Sequence, residues 1–124
     1  MLVRLALIGL GGAIGAILRY LIGYAILAVL SNQNLLYSFI STFCVNMLAC
    51  FCIGICVALL RDSSSLLYIF FAIGVLGGFS TFSSLSLEVF KLLQSGFIVV
   101  ATGYILLSNI FGVLFVWIGY SMLK

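Results

Sequence analysis

Long apolar runs make up most of the chain, and short polar stretches divide them into four. The runs cover residues 2–30, 36–60, 66–93 and 97–123. A helix of about 20 apolar residues crosses the hydrocarbon core of a bilayer, so each run predicts a membrane-spanning helix. The intervening polar stretches are short enough to predict tight turns between antiparallel neighbours; they are residues 31–34, 61–65 and 94–96. We therefore expect one all-α transmembrane domain over residues 1–124.

Composition indicates an integral membrane protein and argues against most soluble functions. The chain is 66% hydrophobic and only 6% charged, whereas a soluble domain carries roughly a quarter charged residues. The net charge of +3 comes with basic residues spread singly along the chain, at Arg4, Arg19, Arg61, Lys91 and Lys124. Scattered cations of this kind anchor helices at the lipid interface and do not form a nucleic-acid surface. With no histidine and two acidic residues, the chain is not expected to be an enzyme.

The basic residues specify the orientation in the membrane only weakly. With four spans, both termini and the turn at 61–65 lie on one side of the bilayer. That side holds Arg4, Arg61 and Lys124, against Lys91 and Arg19 on the other. A bias of three against two permits insertion in both directions, as in a dual-topology protein. Four helices are few for a water-lined path, so transport would require a dimer or a larger assembly.

A polar stretch interrupts the third run at residues 77–86, whose sequence is GGFSTFSSLS. Adjacent glycines are poor in a helix interior, which predicts a break between Gly77 and Thr81. Unwound carbonyls at such a break can bind a monovalent cation, as half-helix ends do in transporters. Phe79 and Phe82 are three residues apart and are expected to share a helical face. The positive edge of a phenylalanine ring can contact a small anion, although such rings more often face lipid or pack.

Two further pairs of polar residues occur at helical spacing. Thr42 and Asn46 lie one turn apart in the second run, as do Tyr104 and Ser108 in the fourth. An amide or a hydroxyl inside a membrane helix either bonds a neighbouring helix or donates to a bound ion. The spacing alone leaves both interpretations open.

The charged residues near or within the runs bear on two rival functions. Arg19 either extends to the membrane interface or has a role at membrane depth. Glu88, close to the end of the third run, is interpreted as an interfacial pair with Lys91. A small multidrug transporter would need an acidic residue deep in the membrane, which this interpretation of Glu88 disfavours. A structural membrane subunit, the other rival, would not explain the clustered hydroxyls of the third run.

Three motifs together resemble those of the Fluc/CrcB fluoride channel family. They are GGAIGAILRY at 11–20, TFCVN at 42–46 and GGFSTFS at 77–83, in this order and spacing. The resemblance covers essentially the whole chain, and the third motif is the specific one. It implies a dual-topology antiparallel dimer of four-helix subunits in the cell membrane. Such channels pass fluoride out of the cytoplasm through two pores, exclude chloride, and hold a structural sodium ion at the dimer interface.

The resemblance also implies roles for individual residues. Main-chain carbonyls of Gly77 and Ser80 would bind the sodium ion. Residues matching the family's pore are Asn46, Phe82, Tyr104 and Ser108. From the residues themselves, the hydroxyls around Thr81, that of Ser83 included, can replace water around fluoride.

Two positions depart from the family pattern. Leu85 stands where the family has its second pore phenylalanine, and Gly112 stands where a serine is common. Either the pores are altered, or a different subunit supplies the missing groups. The partner is therefore a second copy of this chain or, in a heterodimer, a related chain.

Overall fold

The structure is a computed structural model that describes residues 1–30 and 35–124, so the predicted turn at 31–34 lies outside it. The described residues contain helices and no strands. Three long helices are α1 (Leu2–Leu30), α2 (Leu35–Leu59) and α6 (Ile98–Ser121). The third span is composite: α3 (Leu66–Tyr68), a π-helical stretch (Ile69–Leu76), α4 (Gly77–Phe79) and α5 (Phe82–Gln94). All four spans are long and apolar enough to cross a membrane, and the predicted multi-pass, all-α fold is confirmed.

Glycines allow α1 to contact the first half of the third span backbone to backbone. A Cβ atom added at Gly11 would lie 2.7 Å from the carbonyl oxygen of Phe70 and 3.0 Å from the Cα atom of Gly74. At Gly15, one turn further along α1, it would overlap the carbonyl oxygen of Val75. Small residues at this spacing are typical of close helix crossings in membranes. The pair formed by α1 and the π-helical stretch is therefore one half of the bundle.

A second close crossing joins α2 to α6, which forms the other half of the bundle. A Cβ atom at Gly54 would overlap the carbonyl oxygen of Val116, and one at Gly119 would overlap that of Phe51. Each helix thus presents a glycine to the other helix's backbone. Because lipid tails are as apolar as leucine, contacts of this kind rather than hydrophobic burial hold membrane helices together.

The third span breaks at Ser80 and Thr81, where both residues adopt extended backbone conformations. The helix resumes at Phe82, and the Thr81 hydroxyl accepts a hydrogen bond from the Ser84 amide at 3.1 Å. This is an N-cap, which satisfies one of the free amides at a helix start. The predicted break is confirmed, but its predicted cause is wrong. Gly77 and Gly78 are helical, and Gly78 instead lies against the backbone of Gly12 on α1.

The break also changes which way the two phenylalanines point. Phe79 is 5% exposed and packs against Val45 and Ala49 of α2, whereas Phe82 is 78% exposed. Our expectation that Phe79 and Phe82 share a helical face is therefore wrong, because the extended residues between them rotate the chain.

Candidate functional site

Asn46 of α2 pairs with the backbone of Thr81 at the break. The Thr81 amide donates to Asn46 Oδ1 at 2.9 Å, and Asn46 Nδ2 donates to the Thr81 carbonyl oxygen at 3.2 Å. In an unbroken helix the Thr81 amide would donate to the carbonyl of Gly77. Asn46 therefore stabilises the break from a neighbouring helix, by satisfying backbone groups that cannot be left unpaired in lipid.

Two carbonyls at the break lose their usual helical donors. The Thr81 amide, the helical partner of the Gly77 carbonyl, donates to Asn46. The Ser84 amide, the helical partner of the Ser80 carbonyl, donates to the Thr81 hydroxyl. Gly77 and Ser80 are both exposed on the surface of the chain. Carbonyl oxygens are the ligands that monovalent cations take in membrane proteins, so these residues fit a cation site.

Beside the break lies a groove of 190 Å³ that we call the amide groove. Its lining residues come from α2, the break, α5 and α6: Asn46, Met47, Cys50, Ser80, Thr81, Phe82, Leu85, Ser108 and Asn109. The Ser108 side chain is 9% exposed, and its hydroxyl oxygen has no hydrogen-bond partner among the described residues. A buried hydroxyl without a partner is costly, so the groove beside Ser108 is a candidate site for a polar ligand.

One turn further along the same helices lies a second polar group, which we call the Glu88 cluster: Ser38, Thr42, Glu88 and Tyr104. Glu88 is 6% exposed. Its Oε1 accepts from the hydroxyls of Ser38 at 3.0 Å and Thr42 at 2.6 Å, and its Oε2 accepts from Tyr104 at 2.8 Å. The Tyr104 hydroxyl also lies 3.3 Å from the Phe39 carbonyl oxygen.

The structure corrects the sequence interpretation of Glu88. Lys91 is exposed, while the Glu88 carboxylate turns inward to the hydroxyls of α2 and α6, so the two do not form an interfacial pair. A sequence signal was present. The buried positions of α5 are Leu85, Glu88, Val89 and Leu92, which is the three-and-four spacing of one helix face.

Leu85 separates the two polar groups. It lines the amide groove, and it also packs in the apolar cluster of Phe39, Val89, Leu92 and Ala101, against which Tyr104 rests. Tyr104 and Ser108 thus lie one turn apart on α6, one in the Glu88 cluster and the other in the groove. The helices α2, α5 and α6 carry polar residues at two levels with a leucine between them.

The amide groove and the Glu88 cluster together form what we call the polar stack. Arg19 and Ser83 lie apart from it. Arg19 lines a larger groove of 460 Å³ between α1, α2 and α5, which we call the arginine groove; Thr42 and Thr81 also line it. Ser83 is exposed, and its hydroxyl lies 3.3 Å from that of Thr81. Thr81 therefore lines both grooves, and Thr42 joins the arginine groove to the Glu88 cluster.

Comparison with known proteins places this arrangement in a family. The model of the CrcB-like protein family, described as Camphor Resistance (CrcB), matches residues 6–120. The chain belongs to the CrcB family. This match spans the break, the amide groove, the Glu88 cluster and Arg19 alike.

Curated CrcB relatives carry the name "Fluoride-specific ion channel FluC". The protein of Azobacteroides pseudotrichonymphae genomovar. CFP2 is 40% identical over 98% of this chain and 97% of its own length. Those of Helicobacter acinonychis (strain Sheeba) and Helicobacter pylori (strain HPAG1) are 41% and 42% identical over 93% of this chain, covering 91% and 88% of their own. The CrcB membership that the three motifs predict is thereby confirmed.

Proposed function

We propose that residues 1–124 form one subunit of a channel that lets fluoride leave the cell passively through the cell membrane. The observation that carries this proposal is the buried, unpartnered Ser108 hydroxyl beside Asn46, in a groove between membrane-spanning helices. The names of the CrcB relatives supply the identity of the ion. Fluoride is small and tightly hydrated, so the main barrier is the loss of its water.

The donors along α2, α5 and α6 suit that task. Asn46 and Ser108 offer an N–H and an O–H to an anion in the amide groove, and the exposed ring of Phe82 would add a weak positive potential through its edge. None of these groups carries a full charge. Conduction requires sites that release the ion as well as bind it, and neutral donors meet that requirement better than a buried lysine would.

The Glu88 cluster imposes a condition on a fluoride ion that moves past Leu85 from the amide groove. The hydroxyl hydrogens of Thr42 and Tyr104 point at the Glu88 carboxylate. For either hydroxyl to donate to fluoride instead, the Glu88 side chain must turn away from it. Glu88 is thus a positioning residue that orients the hydroxyls, and its own negative charge limits how long an anion stays beside it.

Two subunits in opposite orientations complete the proposed channel. Gly77 and Ser80 are exposed, and the helical donors of their carbonyls are diverted; these carbonyls would hold a sodium ion together with the same residues of a second subunit. A fixed cation there supplies positive potential that attracts anions. Arg19 acts in the same direction, since it lines the arginine groove together with Thr42 and Thr81 and its positive charge attracts anions. The partner is a second copy of this chain, with a related chain as the alternative because of Leu85.

Flux from liposomes tests the proposal. Purified protein is reconstituted with internal potassium fluoride, and efflux is recorded with a fluoride electrode before and after valinomycin. A passive channel releases fluoride only when valinomycin lets potassium leave as well, since the charge must be balanced. Absence of efflux from a protein shown to be folded and membrane-inserted would refute the proposal.

The same vesicles distinguish the runner-up function. Because Glu88 is a buried acid, the feature that a proton-coupled multidrug exporter needs is present in the third span. Such an exporter would move a cationic dye against an imposed pH gradient and would leave fluoride inside. Our proposal predicts fluoride efflux without any pH gradient and no dye movement.

A further inference from the structure

Asn109 is a second amide in the amide groove that the proposed pathway does not yet use. It follows Ser108 on α6 and lines the same groove. Its Nδ2 donates to the Ile105 carbonyl oxygen, one turn back, at 2.8 Å. An amide nitrogen carries two hydrogens, so one N–H of Asn109 has no partner among the residues that the structure describes.

Because of the position of Asn109 in the helix, it costs free energy to leave that N–H without a hydrogen-bond partner. Asn109 is the twelfth residue of α6, which has 24 residues from Ile98 to Ser121. At 1.5 Å per residue it lies about 16.5 Å from the start of the helix and about 18 Å from its end, too far for its short side chain to reach the interface. Its side chain is nevertheless exposed on the isolated subunit. Inside a bilayer its partner must come from protein, water or an ion.

Thr102, about two turns before Asn109 on the same helix, shows how a polar residue of α6 can satisfy its own hydrogen bonds. It is exposed, and its hydroxyl donates to the Ile98 carbonyl at 2.9 Å, which uses its single hydrogen. Asn109 makes the same bond one turn back and still has a donor in excess. This donor belongs to the groove that holds the unpartnered Ser108 hydroxyl, so two adjacent residues present unused donors to one space.

We propose that Asn109 binds the permeating anion: its free N–H, the Ser108 hydroxyl and the Asn46 amide together form a three-donor site for a desolvated monovalent anion. The inference rests on the proposed channel function and extends it by one residue. The residues that line the groove carry no charge. Selectivity for a small anion that accepts hydrogen bonds strongly would therefore come from the number of N–H and O–H groups that donate to it.

The test compares Asn109→Leu, Asn109→Gln and Thr102→Val in the fluoride efflux assay. Leucine keeps the volume but removes the donor, glutamine keeps an amide, and Thr102→Val removes a polar group from the same helix outside the groove. A hydrogen bond to a charged group is strong enough that its loss slows efflux about tenfold or more. We expect that slowing for Asn109→Leu, partial recovery for Asn109→Gln, and wild-type rates for Thr102→Val. If Asn109→Leu conducts at the wild-type rate, the inference is wrong.

Two further readouts separate ion binding from subunit contact. The fraction of dimer in liposomes, counted by single-molecule photobleaching, should match wild type for Asn109→Leu; a loss of dimer confined to this variant would assign Asn109 to the partner subunit and overturn the inference. In detergent, sodium fluoride should raise the melting temperature of the wild type more than sodium chloride does, and Asn109→Leu should lose this difference. That measurement needs no conduction, so a silent wild type that still shows the fluoride-specific shift would refute only the channel function.

Discussion

Replacement of Gly119 by alanine tests the packing that positions the polar stack. The added Cβ atom would overlap the carbonyl oxygen of Phe51 on α2 and lie 3.1 Å from its carbonyl carbon. Ordinary contacts begin near 3.4 Å, so α2 and α6 must move apart. Overpacking of this kind costs about 1–3 kcal/mol.

The matched control is Gly103→Ala on the same helix, where an added Cβ atom meets nothing within 4 Å. Both substitutions gain about 1 kcal/mol of helix propensity. The difference between the two variants therefore isolates the steric cost, and we expect Gly119→Ala to be less stable than Gly103→Ala by about 1–3 kcal/mol.

Stability is measured by reversible unfolding in mixed micelles with increasing dodecyl sulfate, followed by tryptophan fluorescence or circular dichroism. Gly54→Ala on the facing helix should behave like Gly119→Ala, and the double variant should cost less than the two single costs added together. This is because both substitutions push the same two backbones apart, and neighbouring sites are not additive. Equal stability of Gly119→Ala and Gly103→Ala would refute the close crossing of α2 and α6.

Three further substitutions test the site itself. Glu88→Gln should stay folded but alter the efflux rate, since glutamine still accepts at Oε1 from Ser38 and Thr42, while the Nε2 that replaces Oε2 cannot accept from Tyr104; unfolding and flux are measured in parallel, and identical flux would contradict a positioning role. Asn46→Leu should destabilise the break by about 2–6 kcal/mol because the Thr81 amide and carbonyl each lose a partner at about 1–3 kcal/mol, which would appear as faster hydrogen exchange at Thr81; unchanged exchange would argue against the pairing. Leu85→Phe should raise fluoride efflux at some cost in stability from overpacking, and a silent wild type with an active variant would indicate that a different subunit normally supplies an aromatic group.

The four spans and the broken third helix could be predicted from sequence because they depend on local properties. Apolar length decides whether a helix crosses a bilayer, and the hydroxyl-rich stretch at 77–86 marks the only long polar interruption of a run. The location of the break depended on more than glycine content. Thr81 caps the new helix and Asn46, distant in sequence, satisfies the Thr81 backbone, while Gly77 and Gly78 remain helical.

The largest error concerned Glu88, and its cause is tertiary. Its spacing from Lys91 is that of a helical ion pair, and nothing local shows that Ser38, Thr42 and Tyr104 converge on the same carboxylate. Glu88 shares a face of α5 with Leu85 and Leu92, which indicates that it is buried. This indication can be used only once that face is known to pack inward. Asn109 could not be assigned to a site from sequence for a similar reason, because the groove it lines is formed by three helices and the break.

The comparison of fluoride with chloride in the same liposomes tests the central claim most directly. Vesicles are loaded with equal concentrations of potassium fluoride and potassium chloride. Valinomycin is added so that potassium can leave with the anions, and the efflux of both anions is recorded with ion-selective electrodes. We expect rapid loss of fluoride and retention of chloride, because neutral N–H and O–H donors in the amide groove replace the water that the small, strongly accepting fluoride ion loses. Release of both anions at similar rates, or of neither, would contradict it.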